Sequence, residues 1–260
     1  MHATEREEAI LAALARTGFV SYRDLEASLG ASPATIRRDL SRMEEKGLLS
    51  RVHGGARAER EKRDDSAALA LRGTPFEKSI VQELAAKRAI GKAAAAICED
   101  GEGVIIDGGS TTYQMCPHLA GLGLQVLTNS LHIVNALLPQ EGTTLLVPSG
   151  TIFREQNIIL AASGEDSMPR FHASKLFMGA ASLGPQGIAQ ADTVLVASQR
   201  RFIERANKVI LLVDSQKFEA FSGAIVCGLD EIDVVISDSR INDESRELLR
   251  SNGIQLIAAE

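Results

Sequence analysis

A loop of glycines and hydroxyl side chains lies between an apolar run and a helical pattern in the middle of the chain. It reads DGGSTT at residues 107–112 and follows the apolar stretch 103–107. Glycines let a backbone approach a ligand closely, and N–H groups at the start of a helix attract anions. The hydroxyls of Ser110, Thr111 and Thr112 would add hydrogen-bond donors. The spacing is compatible with a phosphate site, although no GKS or GKT follows, and an ordinary turn with a Ser/Thr cap has the same composition.

Two other polar loops follow apolar runs further along the chain. Thr128-Asn129-Ser130 comes after QVL, and DSQKF, residues 214–218, comes after KVILLV. In a parallel sheet these loops would meet at the carboxyl edge, where such folds bind their ligands. The three loops offer hydroxyls, an amide and the ammonium of Lys217, a set that suits a phosphorylated polyhydroxy ligand. Taken alone, Lys217 is more typical of a solvated loop.

A second group of residues that suits phosphates is a set of arginines nearer the N-terminus. Arg37 and Arg38 are adjacent in SPATIRRDL, residues 32–40, and Arg42 follows about one helical turn later. The stretch 35–60 has more basic than acidic residues, although the formal net charge of the chain is -6. A locally basic unit on an acidic body is typical of a nucleic-acid-binding module attached to another domain.

The capping residues and the apolar spacing around these arginines predict a helix and show which of its faces is exposed. Ser32 as N-cap and Pro33 at the first helical position predict a helix start. Ile36, Leu40 and Met43 recur as its buried face, so the arginines cannot all enter the core. Thr35, Arg38 and Arg42 then share one exposed face, and Gly47 closes the helix.

Two shorter helices are predicted before this one. One contains Ile10, Leu11 and Leu14, and the next begins at Ser21, buries Leu25 and Leu29 and ends at Gly30. A short helix, a turn with glycine and a second helix with polar N-terminal residues is helix-turn-helix geometry. The following LLSRVHGGARA, residues 48–58, predicts a β-hairpin wing whose Arg51, His53 and Arg57 could contact a sugar-phosphate backbone. A three-helix dimerisation module with a solvated basic face would have the same helices.

The sequence ASPATIRRDLSRMEEKGLLSRVHGGA, residues 31–56, resembles the signature of the DeoR family of bacterial transcription regulators. The resemblance implies a winged helix-turn-helix that binds double-stranded operator DNA, with the paired arginines contacting phosphates and base edges. The candidate DNA-binding residues are Ser32, Thr35, Arg37, Arg38, Arg42, Arg51 and His53.

Beyond residue 76, helical patterns alternate with short apolar runs. A helix is predicted through residues 79–97, and strands are predicted at 103–107 and in LQVLTNS, TTLLVPSG, SKLFMGA, KVILLVD, IDVVISD and IQLIAAE. This alternation predicts an α/β fold with a mostly parallel sheet covered by helices. The predicted organisation is a winged helix-turn-helix at 1–57, a linker at 58–75 and an α/β domain at 76–260.

The α/β region also resembles the DeoR family, through DGGSTT, LTNS and DSQKF. The resemblance implies a fold similar to ribose-5-phosphate isomerase and a sensor for a phosphorylated sugar or polyol. Family members typically repress catabolic operons and release DNA when the metabolite binds, and several segments here are closer to regulators of polyol and sugar-acid pathways. Where many members have a lysine in the helix before the last core strands, this chain has Gln199. The implied effector-binding residues are Asp107, Gly109, Ser110, Thr111, Thr112, Asn129, Ser130 and Lys217.

Composition and residue spacing indicate the cellular location of the protein and the partners and cofactors it could have. With 45% hydrophobic and 24% charged residues, no long apolar run and no signal-peptide pattern, the chain is expected to be cytoplasmic, with no membrane partner. Its three cysteines and five histidines have no CxxC or HExxH spacing, so no metal and no cofactor is predicted. Regulators with this DNA-binding motif commonly act as dimers, so a homodimer or homotetramer assembled by residues 76–260 is expected.

A sugar-phosphate isomerase-like enzyme with an appended DNA-binding module is the main alternative. Isomerisation needs a positioned carboxylate or histidine base. Asp107 and Asp214 follow predicted strands, but no motif supplies a second acid–base group, so no catalytic residue is predicted. A structural adaptor is a third alternative, and it would show neither specific DNA binding nor release by a ligand.

Overall fold

The computed structural model describes residues 6–7, 9–11, 13–14, 19–45, 48–52, 55–58, 74–161, 168–219 and 223–260. The chain divides into two units, residues 1–69 and 70–260. Most of the predicted linker lies outside the described residues, so the bounds 1–57, 58–75 and 76–260 remain predictions. No helix in the described ranges is long and apolar enough to cross a membrane.

The N-terminal unit is a set of helices followed by a small antiparallel sheet. After helical residues between 6 and 14 come β1 (Phe19–Ser21), α1 (Tyr22–Leu29), α2 (Pro33–Glu45), β2 (Leu49–Val52) and β3 (Gly55–Ala58). β3 pairs with both β1 and β2, and Val52 lies opposite Gly55 at the end of the predicted hairpin. The predicted hairpin is therefore confirmed. β1, only three residues long, was not predicted.

The core of this unit forms around α2. Ile36, Leu40 and Met43 are fully buried, as their spacing predicted, and they pack with Ile10, Leu14 and Leu25. Leu11 is 36% exposed and so does not belong to the predicted stripe. The turn before α2 uses Gly30 at φ +58°, a conformation that favours glycine. Ser32 then caps α2 by accepting a hydrogen bond from the Thr35 amide at 3.3 Å.

The second unit contains a seven-stranded parallel sheet. Its strands are β4 (Gly103–Ile106), β5 (Gln125–Leu127), β6 (Thr144–Leu146), β9 (Ala173–Met178), β12 (Ala206–Leu212), β14 (Val234–Asp238) and β15 (Gln255–Ala259). Their spatial order is β15-β14-β12-β9-β4-β5-β6, and every neighbouring pair is parallel. All seven strands were predicted from their apolar runs, and the predicted mostly parallel α/β class is confirmed.

Helices cover both faces of this sheet. They are α3 (Phe76–Ser79), α4 (Leu84–Ala95), α5 (Leu131–Leu137), α6 (Thr193–Ile203) and α7 (Asp243–Ser251), with short 3-10 helices at Thr112–His118, Ser215–Phe218 and Leu229–Glu231. On β9, Phe177 faces the layer that contains α4 and α5, whereas Leu176 and Met178 face α6 and α7. Burial on both faces explains why the strands are continuous apolar runs.

Two small antiparallel elements stand beside the main sheet. β7 (Gly150–Phe153) and β8 (Ile158–Ala161) form a hairpin, and β10 (Ser182–Gly184), β11 (Gly187–Gln190) and β13 (Ala224–Cys227) form a three-stranded sheet. Neither element was predicted from the sequence. β11 leads directly into α6, so this sheet helps to position the start of that helix.

The single helix predicted for residues 79–97 is wrong. The chain forms α3 and α4 with a break at 80–83, where Glu83 has a positive φ of 49°. The Glu83 carboxylate accepts hydrogen bonds from Arg240 at 2.5 Å and from the Gln216 side chain at 3.0 Å. These partners are distant in sequence, so tertiary contacts accompany a backbone conformation that local helix propensity disfavours.

Strand order also fixes where a ligand can bind. From β4 the chain continues to β5 and β6 on one side, and then to β9, β12, β14 and β15 on the other. The direction therefore reverses between β4 and β9. In open parallel sheets the crevice at such a reversal, outside the carboxyl ends of the strands, is the usual ligand site.

Candidate functional site

A pocket of about 280 Å³ lies at this reversal, within the second unit. Its walls include residues 108–111 after β4 and 179–181 after β9. Residues 190–192, before α6, and Lys217, after β12, complete another part of the wall. Backbone and side-chain polar groups from four separate segments therefore meet around one small cavity, as expected for a small-molecule site.

The loop after β4 lines the pocket and contains unused hydrogen-bond donors. The backbone N–H groups of Gly109, Ser110 and Thr111 have no acceptor in the described part of the chain. The Ser110 hydroxyl lies 2.8 Å from that of Ser79, which also lines the pocket. Successive free N–H groups form a concave site for anions.

The hydroxyl of Thr112, the third residue predicted to donate to the ligand, does not face the pocket. Thr112 is fully buried, and its hydroxyl lies 2.7 Å from the Asp107 carbonyl oxygen and 3.0 Å from that of Gly109, within reach to donate to either. It therefore closes the loop on itself and is not part of the pocket wall. Ser110 and Thr111 line the pocket, whereas Thr112 shapes the loop that carries them.

Asp107, Asn129 and Ser130 also lie behind the pocket. The Asn129 side chain accepts a hydrogen bond from the Gly108 amide at 3.0 Å, which ties the loop after β4 to the loop after β5. Ser130 caps α5 by accepting from the Ile133 amide at 3.4 Å. All three residues were predicted to bind the ligand. In the structure none of them lines the pocket: Asn129 supports the loop after β4, and Ser130 caps a helix.

Asp107 is buried against Gln199. Its carboxylate accepts a hydrogen bond from the Gln199 side-chain amide at 2.6 Å, and the same amide lies 3.2 Å from the carbonyl oxygen of Gly179. The side-chain oxygen of Gln199 has no donor among the described residues. Burial raises the pKa of Asp107 to about 6, against the hydrogen bonds from Gln199, Gly108 and Asn129 that lower it.

Asp107→Asn should change how stability depends on pH. Because the folded-state pKa, about 6, lies above the ordinary value of 3.8, the contribution of Asp107 is fully present below pH 4 and is lost as the pH rises through 6. We expect the unfolding free energy of wild type, relative to Asp107→Asn, to fall by about 1–2 kcal/mol between pH 5 and pH 8. Urea denaturation of both proteins across this range measures the difference, and parallel pH profiles would contradict the assignment.

Two lysines supply positive charge to the pocket. Lys217, predicted from the sequence, is half-buried, and its ammonium has no partner among the described residues. Lys87, not predicted, is only 3% exposed and donates to the Ser79 carbonyl oxygen at 2.6 Å. Burial lowers the pKa of Lys87, and nearby Asp214 opposes that shift.

The position of Lys87 in the sequence already indicates that it is buried. It lies on the same face of α4 as the buried residues Ile90, Gly91 and Ala94, at helical spacing from them. A lysine on an apolar helix face has to reach a polar partner or a ligand. The sequence could have identified its burial, but not the cavity that its ammonium reaches.

A separate basic surface lies on α2 in the N-terminal unit. Arg37 and Arg38 are exposed, and the Arg37 guanidinium carbon lies 5.9 Å from the centre of the Tyr22 ring. Arg38 has no ion-pair partner in the ranges that the structure describes. At the start of the helix, the hydroxyls of Ser32 and Thr35 are 2.9 Å apart. Two exposed guanidinium groups beside polar residues at a helix start suit the groove of a duplex.

Arg42 is held by acidic side chains. It donates to Glu7 at 2.7 Å and to Asp39 at 3.0 Å, and Asp39 also accepts from Arg6 at 2.7 Å. These contacts join α2 to the first helical residues of the unit, so Arg42 has a structural role, and its contact with DNA remains a prediction. For the wing, β2 contains the backbone of Arg51, but the Arg51 side chain and His53 lie outside the described residues.

Comparison with known proteins matches both units. Residues 6–62 match the DeoR-like helix-turn-helix domain, and residues 82–239 match the DeoR C terminal sensor domain. The HTH-type transcriptional regulators UlaR of Shigella dysenteriae serotype 1 and Shigella sonnei are each 30% identical to this chain over 258 residues, 99% of this chain and 99% of theirs.

Two solved structures illustrate the structural neighbours. Ribose 5-phosphate isomerase A of Methanocaldococcus jannaschii has a TM-score of 0.37 at 15% identity and covers 51% of this chain and 53% of its own. The sorbitol operon regulator SorC of Klebsiella pneumoniae has a TM-score of 0.39 at 10% identity, with coverage of 88% and 93%. From the family matches over both units, the chain belongs to the DeoR family of transcription regulators, with an N-terminal helix-turn-helix domain and a C-terminal sensor domain.

Proposed function

We propose that this protein represses a carbohydrate, polyol or sugar-acid catabolic operon, and that a phosphorylated sugar or polyol in the pocket releases it from operator DNA. The observation that carries the proposal is that one cavity is lined by two lysines and by three residues whose N–H groups have no acceptor among the described residues. A phosphate dianion is the small ligand that uses both kinds of group.

The phosphate would lie against residues 109–111. Their N–H groups and the Ser110 hydroxyl would donate to its oxygens, and the ammonium groups of Lys87 and Lys217 would balance its charge. Lys87 and Ser110 both contact Ser79, so the buried lysine and the loop are already joined by hydrogen bonds. Asp107, Thr112, Asn129 and Ser130 would act indirectly, by fixing the shape of that loop.

On the DNA side, α2 would enter the major groove with Ser32, Thr35, Arg37 and Arg38 toward the bases. Arg51 and His53 would contact phosphates from the wing, with Arg42 adding charge beside them. The protein would act in the cytoplasm as a homodimer or homotetramer assembled by residues 76–260. Light scattering at micromolar concentration, with and without DNA, measures that assembly, and a strict monomer would contradict it.

Release of operator DNA by a phosphorylated compound tests the whole proposal. Labelled DNA from the protein's own promoter region is bound and then titrated with sugar, polyol and sugar-acid phosphates, each beside its unphosphorylated parent. We expect a phosphorylated compound to release the DNA and its parent to leave the complex intact.

Other outcomes would contradict the proposal in distinguishable ways. Release by parent compounds at the same concentration would remove the phosphate from the mechanism. Turnover of a sugar phosphate, followed in the same samples, would favour the isomerase-like enzyme instead.

A further inference from the structure

A second part of the pocket wall carries hydrogen-bond acceptors. Gln190, the last residue of β11, and Asp192, which precedes α6, both line the cavity. They are only 9% and 8% exposed. Neither belongs to the loop after β4, and neither was predicted from the sequence to have a role.

Asp192 is a largely buried residue whose carboxylate has no partner among the described residues. It occupies the N-cap position of α6, yet its side chain accepts no hydrogen bond from that helix. In the same unit the N-cap residues Ser130 and Asn242 do accept from their helices. The Asp192 carboxylate makes no hydrogen bond or ion pair with any residue that the structure describes. Because Asp192 lines the pocket, its unpaired oxygens are available there to hydrogen-bond donors of a ligand.

Gln190 is oriented by the main chain after β9. Its side-chain amide nitrogen donates to the Gly179 carbonyl oxygen at 3.1 Å, which leaves the amide oxygen as the free acceptor. Within the described ranges no donor reaches that oxygen. The adjoining side chains of the pocket, Ala180, Ala181 and Leu195, have no hydrogen to donate. This part of the wall thus offers two acceptors and no side-chain donor except the amide already bound to Gly179.

We infer that Asp192 and the side-chain oxygen of Gln190 accept hydrogen bonds from hydroxyl groups of the effector. A carboxylate oxygen and an amide oxygen are both acceptors, and neutral hydroxyl groups on one ligand can donate a hydrogen bond to each of them. The effector is then a monophosphate whose carbon chain carries hydroxyl groups, with its phosphate on the loop after β4. This assignment rests on the proposed function, because it takes the phosphate position from it.

The test compares ligands that differ only in hydroxyl groups. Full-length protein is titrated calorimetrically with pentitol and hexitol monophosphates, with pentyl and hexyl phosphate, and with the unphosphorylated polyols. We expect wild type to bind at least one polyol phosphate about tenfold or more tightly than the alkyl phosphate of equal length, because an alkyl chain leaves Asp192 unpaired.

Asp192→Asn then isolates the carboxylate. It keeps the size of the side chain and should reduce this preference by about tenfold, while alkyl phosphate affinity stays within about twofold. Asp243→Asn, at an exposed position at the start of α7, is the matched control and should keep the wild-type preference. Gln190→Leu should reduce the preference in the same direction and provides a second variant.

The outcomes separate this inference from the proposed function. An unchanged preference in Asp192→Asn, or alkyl phosphates that bind wild type as tightly as every polyol phosphate, would overturn the role of Asp192. If unphosphorylated polyols bind as tightly as their phosphates and Asp192→Asn weakens them, the phosphate site fails and the hydroxyl role stands. If no compound binds, both are overturned.

Discussion

Replacing Arg37 and Arg38 together by alanine should lower affinity for operator DNA by about 2–4 kcal/mol, a factor of roughly 30 to 1,000. Both guanidinium groups are exposed on α2, and neither is paired with a carboxylate within the described residues. Their full charge is therefore available to phosphates and guanine edges. Fluorescence anisotropy with the promoter fragment, at several salt concentrations, gives the loss and the change in salt slope.

A charge-matched control separates contact from net charge. Arg88 and Lys92 are exposed on α4 of the sensor domain, so Arg88→Ala with Lys92→Ala removes the same charge from a surface with no proposed DNA contact. We expect that double variant to bind operator within about twofold of wild type. Equal losses in both double variants would attribute the effect to overall charge and would remove α2 from the DNA interface.

Lys87→Met should raise the effector concentration needed for half-release of operator DNA by about 10- to 100-fold. The variant removes a buried ammonium from the pocket and keeps the length of the side chain. Burial lowers the pKa of Lys87, which means that its charged form is disfavoured in the effector-free fold. Methionine should therefore leave stability unchanged or slightly higher, so a loss of response would not reflect unfolding.

Two other lysine variants show how large the effect of Lys87→Met is by comparison. Lys217→Ala should act in the same direction but less strongly, because Lys217 is half-buried and its charge is more screened by water. Lys208→Ala, at an exposed position of β12, should respond as wild type does. If Lys87→Met releases DNA at the wild-type effector concentration, the buried lysine does not contact the effector, whatever the other variants do.

Capping residues and apolar spacing were sufficient to predict the elements that depend only on neighbouring residues. Ser32, Pro33 and the Ile36, Leu40 and Met43 spacing identified α2, because capping and amphipathic burial depend on neighbouring residues. The apolar runs identified all seven strands of the main sheet for a similar reason. The central strands are buried on both faces over most of their length, so their cores are apolar runs.

What the sequence did not reveal depends on contacts between distant segments. The break at 80–83 accompanies contacts of Glu83 with Arg240 and Gln216, which no local pattern contains. The inward hydroxyl of Thr112 and the pocket carboxylate of Asp192 are likewise set by three-dimensional packing. DGGSTT predicted a site at a loop that does line the pocket, but the division into residues that line the pocket and residues that lie outside its wall required the strand order.

The position of β9 also has a kinetic consequence. β9 joins the β4-β5-β6 half of the sheet to the β12-β14-β15 half, and its pairing with β4 brings Val104 beside Lys175. During synthesis, β4 has an unpaired edge until residues 173–178 have emerged, and closing that long loop is entropically slow. The nascent β4-β5-β6 part of the sheet should therefore bind chaperones and be prone to aggregation. Because the pocket spans the ends of β4 and β9, the effector can bind only after these two strands have paired. The bound effector should then slow unfolding without accelerating folding.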